Sequence, residues 1–161
     1  MRRLLAVLAL VGVLLLSAVA TAGAASPRTA AHGAFTYNSC HNSVRQAGGN
    51  LFLDITCTIT YVGTLSGTST QSGTLLIHAD GRTNFHGTET FTGTVNDLPG
   101  TLTFKVASVG DATAFRETST IIGGTDALAN LHGVLRVAGT VPPPPGLPFG
   151  TYSAQLHDGT R

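Results

Sequence analysis

Two carboxylates in this chain fall where proton chemistry would need them. Glu89 shares strand parity with Phe85 and Phe91, so alternation along a strand sends it toward the apolar side. A carboxyl group desolvated among aromatic rings has its pKa raised, which suits a proton-transfer group or a polar anchor for a ligand. Glu117 stands in the same relation to Phe115 and Ile121, with Arg116 on the opposite face. If both point into one lumen, they form a carboxylate pair able to do acid–base work. The competing reading is a structural glutamate bonded to backbone donors at a bulge. Glycosidase chemistry is disfavoured, because the chain has no Trp to stack a sugar.

The other chemistry-bearing residue types are dispersed. His32, His41, His78, His86, His132 and His157 show no His-x-His or His-Glu-x-x-His spacing, and no Cys-x-x-Cys occurs. Neither a metal site nor a cofactor is therefore expected. No Gly-x-Ser-x-Gly elbow is present, and the glycine-rich stretches lie between strand runs, where they cannot cradle phosphate at a helix N-terminus. Cys40 and Cys57 are the natural disulfide of a chain that reaches an oxidising compartment, two buried free thiols being the alternative. The bridge would close a loop worth about 3 kcal/mol in the chain-entropy picture. Cys57 shares parity with inward residues, so the bridge would have to sit at the core or the rim.

The elements that position these residues are strands. Leu51, Leu53, Ile55, Cys57, Ile59 and Tyr61 alternate with Asp54, Thr56, Thr58 and Thr60. Phe85, Glu89 and Phe91 alternate with His86, Thr88, Thr90 and Thr92, and Leu102, Phe104 and Val106 with Thr101, Thr103 and Lys105. Threonine suits the outer faces, since its branched Cβ favours a strand and its hydroxyl favours water. Turn signals at Asp80-Gly81, at Asn96-Asp97 with Pro99-Gly100, and at Gly110-Asp111 separate the runs. The pattern predicts about eight strands, near 32–38, 51–62, 67–78, 83–94, 100–109, 113–122, 133–140 and 150–158. A single helical turn is expected within Asp126 to Leu131. Glycines inside the strand runs, such as Gly73, Gly87 and Gly93, favour a closed barrel, whose corners must bend sharply.

Composition bounds the partners. Charged residues make up 11% of the 161 and the net charge is +1, which excludes an electrostatic nucleic-acid binder. A hydrophobic share of 42% excludes a disordered tail. Residues 1–25 read as a signal peptide, with Arg2 and Arg3 ahead of the apolar run Leu4 to Leu16 and a small-x-small cut site at Ala22-Gly23-Ala24. That run is shorter than the roughly 20 apolar residues that span a bilayer, so no membrane span is expected after cleavage. The Arg pair alone does not decide between the general and twin-arginine export routes. Residues 26–161 form the single expected domain, secreted or otherwise extracytoplasmic. Within it 141–149 is a Pro-rich loop, expected to be a stiff cover over one barrel mouth, with Leu147 and Phe149 able to fold back as a plug, the alternative being a polyproline ligand for an aromatic groove.

From Gly63 to Gly159 the chain resembles a bacterial domain family of unknown function related to allene oxide cyclase and dirigent-type barrels. The residues that carry this are Tyr61-Val62-Gly63-Thr64-Leu65-Ser66-Gly67, Phe85 to Gly93, the turn from Gly124 to Gly133, and Gly150-Thr151-Tyr152. The resemblance implies an all-β fold: one eight-stranded antiparallel β-barrel, allene-oxide-cyclase-like and calycin-like, with a central lumen. It carries over no activity. Three functions follow as expectations. The first is an exported barrel binding a small apolar ligand in its lumen, lined by Tyr61, Phe85, Phe91, Phe104 and Tyr152. The second is a cyclase- or isomerase-like enzyme using a lumenal glutamate, Glu89 or Glu117. The third is a structural barrel filled by its own side chains. A dimer or trimer is permitted by the Thr-rich faces and required by nothing.

Overall fold

The computed structural model describes residues 28–159. The expected signal peptide therefore lies outside the described residues. Eight strands follow one another: β1 (Arg28–Ala47), β2 (Asn50–Gly63), β3 (Leu65–Ile77), β4 (Thr83–Val95), β5 (Leu98–Gly110), β6 (Ala114–Gly124), β7 (Leu131–Thr140) and β8 (Phe149–Asp158). Each pairs antiparallel with the next, and β1 pairs with β8, which closes the barrel. Closure leaves no lateral sheet edge to be protected. The expected helical turn is a single 3-10 turn, Asp126–Leu128, between β6 and β7.

The first strand is much longer than its hydrophobic pattern predicts. It runs 20 residues because the polar stretch after Tyr37 continues to pair with β2 as far as Ala47↔Asn50. Backbone pairing does not require apolar side chains, and the polarity of this stretch reflects its exposure beyond the barrel body. A bulge interrupts the pairing: Tyr37 faces Ile59 and Ser39 faces Thr58, which leaves Asn38 without an opposite residue. The extra residue flips the parity of everything after it. Tyr37 points inward before the bulge, and Cys40 faces Cys57 after it.

The two ends of the barrel differ. One is packed shut by Leu65, Val95, Leu102, Leu128 and Leu156, all buried, with Leu128 supplied by the 3-10 turn. At the other end lie the β1–β2, β3–β4 and β5–β6 turns and the Pro-rich loop. Two backbone bonds anchor that loop: the Tyr37 amide donates to the Pro148 carbonyl at 2.9 Å, and the Val141 amide to Thr113 at 2.7 Å. It does not plug the barrel. Phe149 is 48% exposed and Leu147 36%, because Phe149 begins β8 on an outward-facing position.

Glycines near the open end make room for rings. Gly73 and Gly87 face each other across β3 and β4, and a Cβ on either would lie within 2.8 Å of the tip of Phe85. At Gly139 a Cβ would run into the ring of Phe115. Both rings occupy space beside bare backbone that any side chain at these glycines would take.

Candidate functional site

A polar bridge spans the lumen about midway along it. Gln71 of β3 donates its side-chain amide to Glu89 Oε2 of β4 and to Glu117 Oε2 of β6, at 3.3 Å each. The Tyr37 hydroxyl donates to Gln71 Oε1 at 3.0 Å, and Ser119 donates to Glu117 Oε1 at 2.7 Å. Glu89 is 1% exposed and Glu117 5%. The remaining carboxylate oxygen of Glu89 and the hydroxyl of Ser69 make no hydrogen bond of full geometry, although the Ser69 and Tyr61 hydroxyls are the donors beside that oxygen. Such orphaned buried atoms are uncommon in a finished core.

Burial governs the titration of these groups. Desolvation raises the pKa of Glu117 to about 7, with the charge of Glu89 adding to the rise, while Ser119 and Gln71 pull it back. Glu89 is also raised by desolvation, opposed by Ser69, Tyr61 and Gln71. Tyr37 and Tyr61 are held well above the usual phenol range, first by desolvation and then by the two carboxylates. The bridge thus holds two carboxylates and one amide with no basic residue among them.

On the open side of the bridge lies a cavity of about 330 Å³. Its walls are mainly apolar, including Leu53, Ile55, Leu75, Phe85 and Phe115, and Gln71 and Glu117 form its floor. Cys40 and Cys57 line it too, bonded as expected at an S–S distance of 2.06 Å. On the closed side the lumen is filled. Tyr61 packs edge-on against Phe91 and Tyr152, and Phe91 and Phe104 are fully buried. The Tyr152 hydroxyl accepts the Leu65 amide at 2.7 Å.

The structure therefore brings Glu89 and Glu117 together through Gln71. Of the five aromatic residues expected to line a ligand site, Phe85 faces the cavity, while Tyr61, Phe91, Phe104 and Tyr152 pack the half beneath it. Sequence reasoning missed Gln71, Tyr37, Ser69 and Ser119. The parity of Ser69 and Gln71 with Leu65 and Leu75 was the available signal. A larger depression of about 660 Å³ lies on the outer wall of β4 to β8, beside His86, Arg116 and Arg136. Arg136 there is bonded to Thr118 at 2.6 Å, and Glu117 and Tyr152 also border the depression.

The sequence profile of one family, described as proteins of unknown function, matches residues 31–140, most of the barrel. The chain belongs to the DUF3224 family. A solved DUF3224 protein of unknown function from Shewanella oneidensis is similar to it at a TM-score of 0.61 and 16% identity, covering 82% of this chain and 98% of that one. Two pterocarpan synthase dirigent proteins share the fold. GePTS1 has a TM-score of 0.51 at 16% identity, covering 83% of this chain and 89% of its own. PsPTS1 has a TM-score of 0.54 at 14% identity, covering 84% and 97%. At such identities the likeness establishes the fold alone, a dirigent-like barrel. No curated protein is similar in sequence to this DUF3224 chain.

Proposed function

We propose that this DUF3224 barrel is an exported binding protein that takes a small apolar molecule into the open half of its lumen. The observation that carries this reading is the cavity itself: apolar walls, a floor of Gln71 and Glu117, and one open end. Its volume lies at the lower end of the roughly 300–1,000 Å³ range of small-molecule sites. A barrel of eight strands is just wide enough to be filled by its own side chains. Here the closed half is filled and the other half is not. Export is supported by the Cys40–Cys57 bridge, and no helix among the described residues is long and apolar enough to cross a membrane.

The test is native mass spectrometry of the protein purified from its own host. A retained adduct that is lost on denaturation is the expected result. The absence of an adduct, together with no saturable uptake of an apolar fluorescent probe, would overturn the reading.

A second reading, a cyclase- or isomerase-like enzyme, is favoured by the position of Glu117, a buried carboxyl group titrating near neutrality beside a cavity. Two of the barrels that share its fold are named synthases. Under this reading Glu89→Gln or Glu117→Gln leaves ligand bound but unchanged, whereas the wild type releases an altered product.

A further inference from the structure

On the cavity side of the lumenal bridge, donors and acceptors do not balance. Both amide protons of Gln71 are used on the two carboxylates, the Tyr37 hydroxyl is used on Gln71, and the Ser119 hydroxyl on Glu117. What remains facing the cavity is acceptor capacity on Glu117, whereas Oε1 of Glu89 is not in the cavity lining and has the Ser69 and Tyr61 hydroxyls as donors beside it. The charges do not balance either. Glu117 lines the cavity with Glu89 behind it, Asp111 stands at the rim, and no Lys, Arg or His is among the lining residues. Arg28, Arg45, Arg82, Lys105, Arg116 and Arg136 are all exposed outside the lumen. A low-dielectric chamber with carboxylates at one end and no internal cation attracts a positive charge carrying its own donors. An ammonium group has three such donors and no acceptor.

We propose that the lumenal ligand is an amphiphilic amine. Its ammonium sits against Glu117 and Gln71, and its apolar body runs along Leu53, Ile55, Leu75 and Phe85 toward the open end. This rests on the lumen-binding reading above and adds the chemical class of the ligand. The ammonium displaces the proton that the carboxylate pair otherwise retains, so binding releases a proton to solvent. The other titratable groups are Tyr37 and Tyr61 at the bridge and Asp111 at the cavity rim. Both tyrosines are neutral at physiological pH, and Asp111 is held low by hydrogen bonds from Thr113 and Ala114, so none of them takes up that proton.

Titration calorimetry of the protein with decylamine, decanol and decanoate, each as monomer and near neutral pH, tests this. Decylamine is expected to bind at least about tenfold more tightly than decanol, the value of one charge-assisted hydrogen bond, with decanoate weakest. Heats for decylamine should vary with the ionisation enthalpy of the buffer, because a proton is released. In Glu117→Gln the preference for amine over alcohol should fall to within about twofold. If that variant does not fold, Glu89→Gln serves for the same ratio. Decanol binding as tightly as decylamine would overturn the amine assignment and leave the lumen-binding reading standing. Failure of all three probes to bind would overturn both.

Discussion

Glu117 joins the chemistry of the lumen to the stability of the fold. Its folded-state pKa of about 7 lies above its ordinary value of 4.5, because burial penalises the charged form. Well below the ordinary value the group is protonated in both states, and its contribution to stability is fully present. As pH rises toward 7 the unfolded chain ionises first, so the folded state loses stability relative to it. The loss is on the order of 3 kcal/mol and is complete once the pH passes the folded value. Urea midpoints should therefore fall between about pH 5 and about pH 8, with m-values unchanged. In Glu117→Gln most of that slope should vanish, leaving a residue from Glu89, which is raised in the same direction. A wild-type midpoint that rises over this window would contradict the buried assignment.

Among the elements, the β1–β2 ribbon does the most to shape the site. The bulge at Asn38 turns Cys40 inward, where it faces Cys57 directly with Cα atoms 4.1 Å apart. The bridge ties the two strands together in the cavity wall, just where the ribbon leaves the barrel body. Beyond it Val44 is largely exposed and Arg45 covers the Phe52 ring at 4.7 Å, so little apolar burial holds the tip. Cys40→Ser should lower stability by roughly 2–5 kcal/mol, as for native bridges in small exported domains. Guanidinium unfolding with and without reductant measures this. Equal midpoints under the two conditions would show that the bridge adds nothing to the fold.

At the scale of the whole molecule, the closed barrel separates charge by side. Every described Lys and Arg is exposed, while two carboxylates occupy the interior. This arrangement is tolerable only if those carboxylates stay partly protonated or meet a cation brought from outside. Export belongs to this scale as well. The protein recovered from medium or cell wall is expected to begin between Gly23 and Ser26, as mass analysis of the mature chain would show. An intact Met1 in a membrane fraction would end that reading.

Alternation alone determined which side of a strand each residue takes. Glu89 and Glu117 point inward because they share parity with Phe91 and Ile121, and the strands after the first follow their hydrophobic runs closely. Period two is a local property of extended backbone, so it is written in the chain. What alternation does not carry is the partner across the lumen. Gln71 and Glu117 are 46 residues apart and meet only because closure and stagger bring β3 opposite β6. Gln71 was also hidden by its surroundings: from Ser66 to Ser72 the strand is polar or glycine on both faces, so periodicity there has no contrast. The parity flip at Asn38 likewise belongs to the pairing with β2 and has no hydrophobic signature. The division of the lumen into a filled half and an open half is a matter of three-dimensional volume. It depends on which side chains reach the axis at the same height, and only the tertiary structure decides that.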